Sequence, residues 1–157
     1  MRLAAQPVQC AAVKNVHDAV STLLRSAGQR YTGSRRAVVD VLVDEGRPMT
    51  LPEILARQPE LAQSSAYRNL AELEQAGVVR RIITSDEHSH YELAEDLTGH
   101  HHHHLICTDC GAVTDFAVPG DLEKQIERSA SSVARKYGFV VDTHRLDLVG
   151  RCTDCSQ

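Results

Sequence analysis

Two copies of the tetrapeptide CTDC, residues 107–110 and 152–155, constrain this chain more than anything else in it. Two intervening residues let both thiolates of a Cys-x-x-Cys pair turn toward one ion. Two such pairs complete the closed tetrahedral set typical of structural zinc. Any fold the chain adopts must therefore bring Cys107 and Cys110 to the same place as Cys152 and Cys155. The redox alternative needs a Cys-x-x-Cys that opens a helix in a βαβ unit. Here the first pair falls in a strand-to-strand turn and the second follows the last predicted strand. No stretch reaches the roughly 20 apolar residues of a membrane span, and the N-terminus lacks the apolar block of a secretion signal. A cytoplasmic, reducing location with no membrane partner is expected, which favours metal ligation over disulfides. Cys10 is left over, with no assigned role, in an expected flexible arm at residues 1–12.

The charge is divided along the chain. Residues 1–83 carry 11 Lys and Arg against 8 Asp and Glu, whereas residues 84–157 carry 6 against 13 and hold eight of the nine histidines. The first part suits a polyanion and the second suits cations. Aromatic residues are only 4% of the chain and Trp is absent, so its core must be aliphatic.

Helical spacing dominates the first part. Val16, Val20, Leu23 and Leu24 share one face, and the pattern stops at Gly28. Residues 35–45 repeat Val38, Val39, Val41 and Leu42. Thr50 and Glu53 form a capping-box pattern with Pro52 in the first turn. A fourth helix starts at Ser64 or Ser65 and ends at Gly77, with Tyr67, Leu70 and Leu73 expected to point inward. The period then changes: "VVRRIIT" and "SHYEL", joined by "SDEH", predict a hairpin. Helices followed by such a hairpin follow the order of a winged helix-turn-helix, whose last helix enters the DNA major groove. The predicted fold class is α+β. A winged-helix unit occupies 1–93, the polar segment "AEDLTG" makes a hinge at 94–100, and a small α/β unit with the four-cysteine zinc site occupies 101–157. Within that last unit "HHHHLIC" and "AVTDFAV" predict a second hairpin. Leu122, Ile126, Val133 and Tyr137 lie at helical spacing up to Gly138. "FVVDTHRLDLV" predicts a strand with His144, Leu146 and Leu148 on one face.

The five histidines 100–104 run straight into the first CTDC, unlike a terminal tag. A solvated polar loop is the competing reading, because a His-rich tract is only compositional evidence for metal. On an extended strand His101 and His103 face one way and His102 and His104 the other, so one tract can seed two sites. Further donors must come from elsewhere. Glu123, at the start of the C-terminal helix, and His144 are candidates. So are Glu92, His90 and His88, which share parity on the hairpin and can meet a His pair across the hinge. Nitrogen and carboxylate donors suit Zn(II), Fe(II), Ni(II) or Mn(II) and do not select one.

The segments "YTGSRRAVVDVL", "SSAYRNLAELEQAGVV", "HYELA", "HHHHLICTDCGAVTDF" and "THRLDLVGRCTDC" resemble the ferric uptake regulator family of bacterial metal-dependent repressors, from Val16 onward. The resemblance implies a homodimer, with the C-terminal unit as dimerisation domain, that binds a palindromic double-stranded DNA operator. It implies structural Zn(II) at Cys107, Cys110, Cys152 and Cys155, and a site within the dimerisation domain at His101, His103, Glu123 and His144. It also implies an interdomain sensing site for a regulatory Zn(II) or Fe(II) at Glu92, His102 and His104. Ser65, Tyr67 and Arg68 fall on its recognition helix. The family commonly draws another sensing ligand, usually His, from the region where this chain has "EGRPMT"; His90 or His88 is expected to substitute. Zinc-sensing members often place a Cys before the His tract, where "AEDLTG" has none. Asp115 matches a ligand position of peroxide-sensing members.

These readings predict a repressor that is not an enzyme. Metal between the hairpin and the His tract would set the separation of two DNA-reading units, with Arg35 and Arg36 on phosphate and Tyr67 and Arg68 at base edges. An Fe(II)- or Mn(II)-dependent peroxide sensor is the alternative. A metalloenzyme with Glu92 or Glu123 as general base is the third reading.

Overall fold

The structure is a computed structural model that describes residues 13–84 and 89–156. The N-terminal arm with Cys10, the "SDEH" turn and His88 lie outside the described residues. The first part of the chain forms α1 (Val13–Ser26), α2 (Gly33–Glu45), β1 (Met49–Thr50), α3 (Leu51–Arg57), α4 (Gln63–Gln75), β2 (Val79–Ile83) and β3 (Ser89–Leu93). The second part forms α5 (Glu95–Thr98), β4 (His103–Cys107), β5 (Val113–Phe116), α6 (Gly120–Tyr137) and β6 (Asp147–Gly150). The class is α+β, with a helical N-terminal region and a C-terminal region built around a sheet.

Local signals place the N-terminal helices. Thr32 caps α2 through the Arg35 amide, and Gly46 ends it in the left-handed region at φ 57°, a conformation that costs glycine little. The predicted capping box of α3 is present: Thr50 Oγ1 accepts from the Glu53 amide, and Glu53 Oε2 accepts from the Thr50 amide at 2.7 Å. Leu24, Val38, Val39, Ile54, Leu70 and Leu73 are buried in one aliphatic cluster that Tyr91 and Leu93 of β3 close from the sheet side. β3 is the middle strand of an antiparallel sheet ordered β1-β3-β2. The two-residue β1 was not expected, because a strand that short leaves no periodicity to read. It exists because Met49 pairs with Tyr91 and Thr50 with His90.

One expected orientation is wrong. The buried face of α4 is Ala66, Asn69, Leu70 and Leu73, and Tyr67 is 55% exposed. Tyr67 lies one position past Ala66, about 100° around the helix, and so leaves the core.

The segment expected as a hinge contains the single helical turn α5, closed by Gly99 at φ 69°. Beyond it, a second sheet is ordered β5-β4-β6, with β4 antiparallel to β5 and parallel to β6. The predicted last strand is shorter than expected. Only 147–150 is extended and paired, while Phe139, Val140 and Val141 are exposed and unpaired, so His144 lies before β6 and not in it. Alternating residues form a strand only where a neighbouring strand supplies ladder partners. β4 supplies them from residue 147 onward.

Candidate metal centres

Parallel pairing of β4 with β6 sets Cys107 opposite Gly150, so both CTDC turns leave the same end of the sheet. The four sulfurs gather there, and their ligand atoms all lie within 4.8 Å of one another. Cys110 Sγ and Cys152 Sγ are 3.8 Å apart. A disulfide would bring them to about 2 Å, whereas four thiolates at about 2.3 Å from a tetrahedral zinc stand about 3.8 Å apart. Gly111, at φ 69°, closes the first turn with its amide on the Cys107 carbonyl. Backbone N–H groups of Cys110, Cys152 and Asp109 hold the Cys107 thiol down at about 6, while neighbouring thiols push Cys155 up. Four sulfurs this close cannot all ionise without a cation, which is the condition such a cluster presents to a metal. The residues therefore fit the four-cysteine centre read from the sequence.

The parity of the His tract carries through. His103 and His104, both buried, open β4, and His101 and His102 continue the alternation before it. On one face His101, His103 and His144 bring Nε2 atoms to the Glu123 carboxylate at 3.4, 3.0 and 2.7 Å. The Nε2 atoms of His101 and His144 are 3.2 Å apart. Burial opposes ionisation of Glu123, but the bond from His103 and the three imidazoles hold its carboxyl below the usual range. Its Oε1 is buried yet has no hydrogen-bond donor in geometry. Three nitrogens and a carboxylate aimed at one point suit a divalent cation better than they suit one another. Behind His101, Nδ1 lies 2.7 Å from Glu95 Oε2, the carboxylate-on-imidazole arrangement that orients ligating histidines.

On the opposite face His102 and His104 place Nε2 at 3.0 and 3.1 Å from Glu92 Oε2 on β3, and Asp115 Oδ1 lies 3.8 Å from His104 Nε2. These four are the third clustered donor set. Burial works against Glu92, yet the bonds from His102 and His104 hold it at about 2, while the bond to Glu92 lifts His102 to about 9. Burial raises Asp115. Glu92 Oε1 and Asp115 Oδ1 are both buried with no hydrogen bond, the mark of oxygens shaped for a cation. A cleft of about 280 Å³, lined by Leu42, Arg47, Leu93 and Phe116 among others, opens beside these donors.

Register explains the fourth donor. β4 is the central strand, and His104 sits opposite Asp115 on β5 and opposite Asp147 on β6. Asp147 Oδ1 lies 3.2 Å from His104 Nδ1 and orients the ring, and Asp115 faces the donor side. Asp115, singled out in the sequence only by resemblance, thus occupies the place expected of His90. His90 is buried two residues along β3 from Glu92, roughly 7 Å away at strand spacing, and is not among the clustered donors. From "EGRPMT", Arg47 reaches the cleft, but a guanidinium cannot ligate, and it donates to Glu53 at 3.0 Å and to the Pro48 carbonyl. Asp147 and Glu95 were missed in the sequence, because an orienting carboxylate has no spacing rule relative to its histidine.

The expected DNA-contacting residues separate into two kinds. Tyr67 and Arg68 project from the exposed side of α4 and Ser65 is half-buried beside them, while Arg36 is exposed at the start of α2 with its guanidinium 5.9 Å from the Tyr31 ring. Arg35 is only 7% exposed and donates to the Arg30 carbonyl, Gln29 and Glu72. It ties α2 to α4, and a guanidinium so engaged is not presented to phosphate.

Residues 26–149 match the sequence profile of the ferric uptake regulator family. The Peroxide operon regulator of Bacillus subtilis is 30% identical over 150 residues, covering 93% of this chain and 97% of that protein. The Ferric uptake regulation protein of the same organism is 30% identical over 149 residues, covering 92% and 97%. Among solved structures, the Helicobacter pylori ferric uptake regulator Fur, described as having three functional metal binding sites, superposes with a TM-score of 0.71 at 26% identity, covering 94% of this chain and 96% of that one. With the profile spanning most of its length and relatives matched nearly end to end, the chain belongs to the ferric uptake regulator family.

Proposed function

We propose that the chain is a metal-responsive, DNA-binding repressor of metal-homeostasis genes, acting as a homodimer on a palindromic operator. Family membership supports the broad reading: members are transcriptional regulators and not enzymes, so Glu92 and Glu123 are read as ligands and not as general bases. The observation that carries the finer reading is that Glu92 of β3 shares one donor set with His102, His104 and Asp115 of the C-terminal region. A divalent cation, Zn(II) or Fe(II), held by those four would supply charge neutralisation across the junction. The chain's own residues do the rest. Glu92 ties the hairpin to β4, Asp147 fixes the His104 ring, and α4 is thereby held at one position relative to the C-terminal sheet.

In this reading residues 1–93 form the winged helix, with α4 as recognition helix and β2–β3 as wing. Residues 94–100 link it to the dimerisation domain, 101–157, which structural Zn(II) at Cys107, Cys110, Cys152 and Cys155 closes. Ser65, Tyr67 and Arg68 would face the major groove and Arg36 a phosphate. The exposed apolar side chains Phe139, Val140, Leu148 and Val149 offer the surface a second copy would cover. No described helix is long and apolar enough to cross a membrane.

Asp115 favours a second reading, an Fe(II)- or Mn(II)-dependent peroxide sensor, because it brings a second carboxylate to the interdomain set. Peroxide treatment of Fe(II)-loaded protein followed by mass spectrometry separates the two readings: added oxygen on the peptide containing His102 and His104 supports the sensor. The main test uses a palindromic duplex selected from random DNA by Mn(II)-loaded protein. Binding should strengthen with metal and weaken with salt, and His102→Ala should lose the metal response while staying a folded dimer. Equal binding by metal-loaded and metal-stripped protein, with the four-cysteine zinc retained in both, refutes the mechanism.

A further inference from the structure

We propose that Arg80 and Glu95 couple the two His-carboxylate sites, so that filling the His101/His103/Glu123/His144 set raises the affinity of the Glu92/His102/His104/Asp115 set. The inference rests on the reading that metal occupies both sets.

It starts from strand register. Arg80 on β2 lies directly opposite Glu92 on β3, where opposite charges ordinarily pair. The guanidinium instead donates to Glu95 Oε1 at 3.1 Å and stands 3.7 Å from Glu92 Oε1. Glu92 Oε1, buried, accepts no hydrogen bond. Glu95 thus takes the hydrogen bond of a guanidinium that remains within ion-pair reach of Glu92, and leaves Glu92 Oε1 without a donor. Glu95 occupies the first position of α5, the single turn between the two sheets, and its other oxygen lies 2.7 Å from His101 Nδ1. One carboxylate in the linker therefore touches the outer nitrogen of a ligand in one set and the cation that competes for a ligand in the other.

The direction of coupling follows from the imidazole. A metal at His101 Nε2 leaves the neutral ring only one place for its proton, so Nδ1–H donates to Glu95 and holds it. Glu95 Oε1 then keeps Arg80. With that set empty nothing fixes the His101 ring against Glu95, the linker carboxylate is held less firmly, and Arg80 can close the short distance to Glu92 across the strand pair. Arg80 and Glu95 are positioning residues, and neither contacts the ion.

The test is a Co(II) titration of the full-length protein with its four-cysteine cluster zinc-loaded, read by d–d absorption against a competing chelator. In wild type the interdomain set should bind about tenfold more tightly than in His144→Ala, inside the 5- to 150-fold span usual for coupled sites. Glu95→Ala should weaken that set by about the same factor and abolish its dependence on His144. Arg80→Gln should also abolish the dependence but leave the set at least as tight as wild type, and the Glu95→Ala/Arg80→Gln double variant should match it. A merely supportive role would make both single variants weaken binding alike, and that result overturns the proposal. So does a His144 dependence that persists in Arg80→Gln, the arm that decides if Glu95→Ala fails to fold. If His102→Ala binds as many Co(II) ions as wild type, the metal-site reading itself falls and takes the coupling with it. A stoichiometry that falls in His102→Ala, with no His144 dependence in wild type, refutes the coupling alone.

Discussion

From Val16 to Leu93 aliphatic side chains from four helices and a sheet close around one another, and Val20, Val38, Leu73 and Val78 see no solvent. From His103 onward, Ile106, Cys107 and Ala134 are the buried hydrophobic residues among those described, and Val133, Tyr137, Phe139, Val140 and Val149 are more than half exposed. The most buried side chains of the second region are polar: His103 and His104, at 1% and 0%. The first region is thus held by transfer of apolar surface from water, which needs no partner. The second cannot be. Its sheet has three strands, α6 buries only Ala134, and what converges in its interior is a set of ligand atoms. Small units without sufficient core need a staple, and here the clustered donor sets are the candidates for it.

That contrast makes the two regions respond to different insults. The largest effect is expected on removing the metal of the four-cysteine cluster by strong chelator or by Cys152→Ser. Structural zinc contributes on the order of 10–16 kcal/mol of apparent binding energy in small domains, so the region from 103 to 155 should lose amide-exchange protection entirely. Residues 16–84 should keep theirs. Simultaneous loss of protection in both regions would show that they are one cooperative unit.

Next comes the reverse experiment. Leu70→Ala empties a buried position on α4 within the aliphatic cluster and should cost about 2–5 kcal/mol in urea unfolding of the first region. The absorption of a Co(II)-substituted four-cysteine cluster should remain. A smaller loss is expected for Arg35→Ala, roughly 1–3 kcal/mol, because Glu72 and the Arg30 carbonyl lose their buried donor. Arg36→Ala, one residue on, should leave stability within about 0.5 kcal/mol but reduce the salt slope of DNA binding by about one. If Arg35→Ala kept full stability and lost DNA affinity instead, the phosphate role expected from sequence would stand. Smallest among the stability losses is Thr50→Ala, which removes one side of the α3 capping box and should lower the unfolding free energy of the first region by about 1 kcal/mol, above the change expected for Arg36→Ala.

Legibility in the sequence followed the range of the interaction that decides each feature. Helix ends were readable because Thr50, Glu53, Gly28 and Gly138 act within a turn of themselves. The two faces of the His tract were readable because alternation is a property of any extended segment. Tyr67 was misplaced because its spacing fits either edge of the apolar stripe. Arg35 was misplaced because its ion-pair partner is 37 residues away. The strand expected around His144 shrank to 147–150 because a ladder forms only where β4 offers one.

The sequence by itself determined that each CTDC can turn both of its thiols toward one ion, and that His101 and His103 part from His102 and His104, since both follow from local covalent geometry; the pairing of β4 with β6 is what brings the two CTDC turns together. Only the tertiary structure decided which carboxylates join the histidines. Placing β4 between β5 and β6 set Asp115 and Asp147 on either side of His104, and the position of β3 near the start of β4 brought Glu92 to both rings. Those choices depend on register between strands distant in sequence, where a shift of one residue exchanges every side chain for its neighbour on the opposite face.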